Sequence, residues 1–218
     1  MRVRLTFTKQ GALRYTGHLD LHNLLERAAR RAGLPLAYSQ GFHPQPKINI
    51  ASALPLGFSS RAEVMDIWLT ADSEVSRLWD SLQTALPTGI QILSAEQVDN
   101  RAPALQTQVV SAEYEVTLSE PASTLTEKLA AVMEAESLPR ERRGKPYDLR
   151  PLIEQLALTP SPFAKHPSGA PDYGRGEKIF MRLAAREGAT GRPEEVLAEL
   201  GIPEESARVE RTRLIFQG

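Results

Sequence analysis

The chain has no cysteine among its 218 residues, and this absence limits the chemistry that it can perform. No disulfide framework, thiol nucleophile or cysteine-ligated zinc site can form within it. An iron–sulfur cluster held by cysteine thiolates is excluded for the same reason. Thiol redox chemistry, and radical chemistry that needs a cysteine-held cluster, must therefore take place on another chain.

Long apolar segments are also absent. No stretch approaches the roughly 20 apolar residues that a membrane-spanning helix needs, and the first ten residues lack the apolar run of a secretory signal. Hydrophobic residues make up 41% of the chain and charged residues 24%, which is typical of a globular protein and not of a disordered one. We therefore expect a cytoplasmic globular protein with no cofactor of its own.

Positive charge is concentrated near the N-terminus. Residues 1–50 contain eight basic residues and two acidic ones, although the whole chain has a formal net charge of −1. A local excess of positive charge indicates a binding surface for an anion such as nucleic acid. The alternative is that these charges lie on solvated faces of helices and strands.

The first half of the chain predicts the element order βαββαβ. Alternation of polar and apolar residues predicts strands at residues 2–7 and at Ala62–Thr70, and helical spacing of apolar residues predicts a helix over about Leu19–Ala32 that ends at Gly33. Three further elements are a strand at Ile48–Ala51, a helix capped by Ser73 and running to Leu86, and a strand at Ile90–Leu93. This is the order of a ferredoxin-like unit.

The second half predicts the same order again. The expected elements are a strand at Tyr114–Leu118, a helix opened by Pro121 and Ser123, a segment at Leu152–Leu158 that fits either a helix or a strand, a strand at Lys178–Arg186, a helix from Pro193 and a strand at Ala207–Phe216. A loop rich in proline and glycine over Thr159–Gly176 is expected to be mobile. The predicted fold class is α+β, with two tandem ferredoxin-like halves and antiparallel sheets. The predicted domains are residues 1–98 and 110–218, joined by a linker at 99–109.

Several motifs carry a family resemblance. They are HLDL at residues 18–21, ERAxRRAGLP at 26–35, YSxGFxPxPK at 38–47, LPLG at 54–57, YDLRP at 147–151 and RPxEVL at 192–197. With these motifs the chain resembles the radical-SAM-linked proteins, a bacterial family of unknown function whose members occur alone or joined to a cobalamin-binding radical-SAM enzyme. The resemblance spans nearly the whole chain. It implies a radical-SAM partner and leaves the activity of this chain open.

Two histidines near the start of the first helix are weak candidates for a metal site. His18 and His22 are four residues apart, so they share a helix face and could ligate one ion. Asp20 points away from that pair, and His18 also lies in register with apolar leucines, as a structural histidine would. We expect no metal.

Three candidate surfaces could bind a phosphate or a base. The first is a ridge of Arg27, Arg30 and Arg31, whose planar guanidinium groups suit phosphate. Its alternative is a solvated and internally paired helix surface. The second is the loop at residues 41–47, which its prolines stiffen so that it presents Phe42, His43 and Lys47. Its alternative is a rigid connector.

The third candidate surface is the outer face of the sheet, where Arg4 and Trp68 point away from the helices. A base can stack on an exposed tryptophan with a gain of about 1–3 kcal/mol. In the alternative, this face packs on the second half and Arg4 forms a cross-strand pair with Asp66.

Three functions fit these observations. The favoured one is a non-catalytic accessory protein that binds RNA, or an RNA-containing substrate, and acts with a separate radical-SAM enzyme. The second is a metal-independent ribonuclease, in which His18 or His43 is the general base, Tyr38 orients it, and Lys47 or Arg31 stabilises the phosphate. The third is a purely protein-binding adaptor, which requires an exposed apolar patch.

Overall fold

The computed structural model describes residues 1–71, 74–119, 124–159 and 178–217. In this part the chain is mixed α+β, with antiparallel strand pairs and short helices. It divides into two compact units, Met1–Val109 together with Phe216–Gly218, and Val110–Ile215. None of the described helices is long and apolar enough to span a bilayer.

The N-terminal unit contains its six main elements in the predicted order. They are β1 (Arg2–Lys9), α1 (His18–Arg31), β2 (Ile48–Ile50), β3 (Ser59–Trp68), α2 (Val75–Ala85) and β4 (Ile92–Val98), with a 3-10 helix at Gly11–Tyr15 and a short helix α3 (Leu105–Gln108). β1 pairs with β3 and with β4, and β2 pairs with β3, all antiparallel. The strands therefore lie in the order β4–β1–β3–β2.

The core of this unit lies between one face of the sheet and helices α1 and α2. Val3, Leu5 and Phe7 alternate along β1 and are buried, and Leu21 and Leu25 of α1 pack into the same cluster. Burial of one such side chain stabilises the fold by about 1.5–3 kcal/mol. The two periodicities seen in the sequence, two for the strand and 3.6 for the helix, thus meet in one apolar core.

Helix α1 ends in a motif that requires glycine. Gly33 has φ of 71°, its N–H donates to Arg30 O at 3.0 Å, and Leu34 N donates to Ala29 O at 3.1 Å. This pair of bonds satisfies the last carbonyls of the helix, and glycine adopts the left-handed conformation without strain. The chain then turns towards the loop that precedes β2.

The segment predicted as a linker lies within the N-terminal unit. Leu105 of α3 is fully buried, and Arg2 donates to Ala102 O at 2.7 Å and to Pro103 O at 3.0 Å. These contacts hold residues 102–105 against the unit to which β1 belongs.

The C-terminal unit has more elements than the sequence predicted. They are β5 (Val109–Leu118), α4 (Leu125–Glu134), β6 (Pro139–Arg142), β7 (Lys145–Asp148), β8 (Ile153–Thr159), β9 (Lys178–Arg186), β10 (Ala189–Thr190), α5 (Pro193–Glu199) and β11 (Ala207–Phe216), with 3-10 helices at Arg150–Leu152 and Glu204–Ser206. β9 pairs antiparallel with β5, β8 and β10, and β11 lies on the other side of β5.

The structure shows what two segments of this unit form: one had no predicted element, and the other fitted either a helix or a strand. The charged segment after α4, for which the sequence predicts no element, is the β6–β7 hairpin. The ambiguous segment at Leu152–Leu158 is mainly the strand β8, because β9 offers it a pairing edge. The expectations for Ser73, Pro121, Ser123 and residues 160–176 concern residues outside the described part.

Candidate functional site

Residues 39–45 form a closed loop between α1 and β2. Ser39 N donates to Gln45 O at 2.8 Å, and Gln45 N donates to Ser39 Oγ at 3.0 Å. Below this closure, Tyr38 and Pro46 form a bridge. These contacts join both ends of the loop, so its tip is positioned before any ligand binds.

The tip of the loop presents an aromatic side chain to solvent. Phe42 is fully exposed, and His43 and Lys47 are exposed as well. Gly41 has φ of 130°, a conformation that side-chain-bearing residues rarely adopt. The three side chains that the sequence predicted for this loop are therefore all accessible.

A cleft of about 420 Å³ lies beside the base of the loop. Its lining residues are Ser39, Gln45, Pro46, Lys47, Ile48, Asn49 and Trp68. Trp68 N donates to Lys47 O at 3.0 Å, which fixes β3 against the end of the loop. The cleft thus combines an indole ring, an ammonium group and neutral polar groups in a volume typical of small-ligand sites.

Tyr38 connects the loop to helix α1. The guanidinium carbon of Arg30 lies 6.0 Å from the centre of the Tyr38 ring, at the outer limit of a cation–π contact. Arg30 also pairs with Glu26 at 2.8 Å. One of the three helix arginines therefore lies at the base of the loop.

The arginines of α1 do not form one continuous ridge. Arg31 donates to Ala85 O, the last residue of α2, where a cation is favoured by the helix dipole. Arg30 turns towards Tyr38, because neighbouring helical residues are about 100° apart around the axis. Arg27 is exposed on the solvent side. The three arginines therefore do not form the expected single surface, because Arg31 contacts α2 and Arg30 contacts Tyr38.

Arg4 belongs to a buried ion-pair network. Asp66 is fully buried and accepts from Arg2 Nε at 2.9 Å and from Arg4 Nε at 2.9 Å. Arg4 and Asp66 lie opposite each other on β1 and β3, and the hydrogen bond to Asp66 is the main cause that raises the pKa of Arg4. The Arg4–Asp66 cross-strand pair named in the alternative is therefore present, and the Arg4 guanidinium is engaged in it.

Trp68 remains a candidate binding residue, although its neighbours differ from those expected. The guanidinium carbon of Arg2 lies 4.7 Å from the centre of its ring, and Trp68 is half-buried and lines the cleft. The buried Arg2 thus supports the indole from within the unit. Trp68 and Lys47 line the same cleft, although they are 21 residues apart in the sequence.

The two histidines of α1 have different surroundings. His22 Nε2 lies 3.2 Å from Ile48 O, and because a carbonyl only accepts, that nitrogen must carry the proton and is not free to ligate a metal. His18 is the exposed first residue of the helix. In the described residues no group of three or more His, Cys, Asp or Glu side chains is arranged to hold a metal ion.

Three exposed apolar side chains lie on the N-terminal end of α1 and on the segments beside it. Tyr15, Leu19 and Leu56 are 64%, 76% and 64% exposed. Gly57 N donates to Arg14 O at 2.9 Å, so the turn after the LPLG motif lies beside the 3-10 helix. Sequence reasoning missed this group because Leu19 and Leu56 read as ordinary apolar positions within their motifs.

Comparison with known proteins gives a family but no activity. A family model described as "Uncharacterized protein conserved in bacteria (DUF2344)" matches residues 2–193. No curated protein sequence matches the chain. The family description assigns no reaction or partner, so the expected link to a radical-SAM enzyme stays a prediction.

Two solved structures are similar at low level. One is the crystal structure of a Cbf5–Nop10–Gar1 complex, with 10% identity, a TM-score of 0.46, and coverage of 97% of this chain and 48% of that one. The other is the archaeal box H/ACA sRNP Nop10–Cbf5 complex, with 13% identity, a TM-score of 0.42, and coverage of 98% and 48%. The chain spans about half the length of these matched chains. Similarity at this level supports no functional argument.

Proposed function

The chain belongs to the DUF2344 family of uncharacterized proteins conserved in bacteria, and for this member we propose that the N-terminal unit binds single-stranded RNA. One arrangement carries the proposal: the closed loop that exposes Phe42 beside a cleft lined by Lys47 and Trp68. The chain then acts as an accessory protein that holds RNA for an enzyme supplied by another chain.

Proteins bind single-stranded RNA through aromatic side chains that stack on bases and through cations that contact phosphates. Bases stack on exposed aromatic rings with a gain of about 1–3 kcal/mol for each base, whatever their sequence. Phe42 is accessible to a base that has left the helical stack, and Trp68 is partly exposed in the cleft. Lys47 would contact a phosphate between them, with Arg30 and Arg27 extending the positive surface along α1.

Preorganisation supports a binding role for the loop over a connector role. Ordering a flexible loop on binding costs free energy, and a loop that is already closed avoids much of that cost. The Ser39–Gln45 closure provides such order. A connector would have no need to hold a phenyl ring fully in solvent, where it gains no burial energy.

The strand order within each unit supports a more specific description of the fold. We propose that each unit is ferredoxin-like. The order β4–β1–β3–β2 in the N-terminal unit supports this, as does the order β11–β5–β9–β8 in the C-terminal unit. In this arrangement the segment between α1 and β2 lies at one end of the sheet, where it can vary without disturbing the core.

A protein partner is the second part of the proposal. The chain has no cysteine to hold a cluster, so a radical-SAM partner would supply that chemistry. The exposed apolar group of Tyr15, Leu19 and Leu56 supports protein contact, because such a group gains burial energy at an interface. It lies on motifs different from the loop that we assign to RNA.

Equilibrium binding of labelled RNA tests the RNA part. We expect Phe42→Ala to weaken the affinity for a fluorescein-labelled single-stranded RNA about 5- to 150-fold, which corresponds to the loss of one stacking contact of about 1–3 kcal/mol. Lys47→Gln should weaken it and reduce its salt dependence, since one phosphate contact is lost. Fluorescence anisotropy at several KCl concentrations measures both effects.

Two exposed positions away from the cleft provide matched controls. Leu93→Ala removes an exposed apolar side chain from β4, and Arg77→Gln removes an exposed cation from α2. Both should bind RNA as the parent chain does. If the parent chain binds no RNA at low salt, or if Phe42→Ala binds as tightly as Leu93→Ala, the proposal fails.

A further inference from the structure

The β6–β7 hairpin of the C-terminal unit ends in an unusual turn. Arg142 pairs with Lys145 across the hairpin, and the two turn residues, Arg143 and Gly144, have φ of 54° and 74°. Positive φ at both positions is typical of the type I′ turn, which prefers asparagine, aspartate or glycine. Among the described residues Arg143 is the one non-glycine residue with positive φ. An arginine held in this conformation suggests that its side chain is used.

Ion pairs fix this hairpin on helix α5. Arg142 donates to Glu195 at 2.7 Å and to Thr190 O at 3.1 Å, and Arg140 pairs with Glu199, one turn further along the helix. Tyr147 lies against the Arg142 guanidinium, 4.7 Å from its carbon to the ring centre. The hairpin is therefore a supported arm and not a free two-stranded ribbon, which alone would be marginally stable.

The base of the hairpin is clamped by one carboxylate. Asp148 Oδ1 accepts from Leu138 N at 2.8 Å and from Arg150 N at 2.9 Å. These backbone donors lower the pKa of Asp148 below its ordinary value. The Asp148 contacts therefore hold the base of the hairpin, and the ion pairs to α5 hold its strands.

The cations at the tip differ from those along the arm. Arg140 and Arg142 are neutralised by glutamates of α5. Arg143 and Lys145 are exposed, and within the described part of the chain neither side chain forms an ion pair or a hydrogen bond. Two exposed cations, separated by Gly144, therefore lie at the turn of a hairpin that ion pairs hold in place.

We propose that Arg143 and Lys145 form a second RNA contact, which binds backbone phosphates and does not read sequence. The inference rests on the proposed function of the N-terminal unit and adds a separate contact in the C-terminal unit. Arginine and lysine are the side chains that most often contact phosphate, and contacts to phosphate position a nucleic acid without specifying its bases. The arm carries no exposed aromatic ring at its tip, so stacking is left to the N-terminal unit.

The salt dependence of RNA binding tests this contact in the full chain. Arg143→Gly keeps the turn, since glycine adopts positive φ freely, and Lys145→Gln removes the second charge. For a fluorescein-labelled uridine 20-mer, the slope of log K against log[KCl] is negative. We expect the double variant to make it less negative by about 1.4, or about 0.7 for each lost contact to single strands. Phe42→Ala should lower the affinity and leave that slope unchanged.

Each outcome separates the two claims. If the parent chain binds the 20-mer and the double variant has the same slope, the hairpin inference is overturned and the N-terminal proposal stands. If the parent chain binds no RNA, both are overturned. If the variant keeps its RNA slope but loses binding to poly-L-glutamate, the tip contacts an acidic peptide and the RNA inference is wrong. An unchanged thermal unfolding midpoint of the variant confirms that the turn is intact.

Discussion

At the scale of single residues, Asp66 shows how a charged side chain can be structural. Its carboxylate is fully buried between Arg2 and Arg4, and Arg2 in turn binds Ala102 O and lies against Trp68. The sequence offered two readings of this strand face, an open binding surface or a cross-strand pair. Only the register of β1 against β3 decides between them, and register depends on the partner strand.

Loss of the Asp66 charge should destabilise the N-terminal unit strongly. Asp66→Asn leaves the guanidinium of Arg2 buried without a counter-charge, and breaking a buried pair in this way costs about 3–5 kcal/mol. Urea unfolding followed by Trp fluorescence measures the change. Glu96→Gln is the control, because Glu96 is exposed and interacts with Arg4 only at a distance. A loss equal to that of the control would show that the network is not structural.

The histidines and arginines mark the limit of reasoning from single residues. The spacing of His18 and His22 predicts a shared face, but the carbonyl of Ile48 that His22 contacts is brought there by the fold. The carbonyl of Ala85 reaches Arg31 in the same way. Backbone acceptors carry no signature in the sequence, so such contacts could not be predicted.

At the scale of elements, the strongest periodic segments were predicted well. The strands β9 and β11 have the predicted bounds, and α1 begins and ends within one residue of its prediction. The β6–β7 hairpin was missed because its four-residue strands are rich in charge and contain proline. Its Arg-Gly turn also lacks the usual asparagine or aspartate.

The clamp at the base of this hairpin predicts a pH dependence of stability. The pKa of Asp148 is lowered in the folded chain by the N–H groups of Leu138 and Arg150, whereas an unfolded aspartate titrates near about 3.9. Asp148 therefore stabilises the fold fully above that unfolded value, and this contribution is lost as the pH falls through the folded pKa.

Comparison of the parent chain with Asp148→Asn isolates this effect. The parent should be the more stable at pH 7, and the difference between the two urea midpoints should shrink as the pH falls from about 5 to 2. Glu141→Gln on the same hairpin should show no such convergence, because Glu141 is exposed. A difference that stays constant down to pH 2 would contradict the role assigned to Asp148.

At the scale of the whole molecule, a count of charges overstated the positive surface. Of the eight basic residues in the first 50, Arg2 and Arg4 are committed to Asp66. Lys9 is buried and donates to Thr16 O, and Arg31 caps α2. Of the four that remain, Lys47 and Arg30 lie at the loop and its base. Arg27 is exposed on α1, and Arg14 lies against Tyr15 in the 3-10 helix. The composition predicts an anion-binding surface, and only the fold can indicate where such a surface could lie.

Recovery of RNA from the native cell tests the central claim most directly. The tagged parent chain and the double variant Phe42→Ala/Lys47→Gln would be crosslinked by ultraviolet light and purified, with RNA and co-purifying proteins scored in parallel. We predict that RNA is recovered with the parent and reduced at least several-fold with the variant, while a cysteine-rich partner is retained by both. Equal RNA recovery from the two chains, or none above background from the parent, would contradict the account.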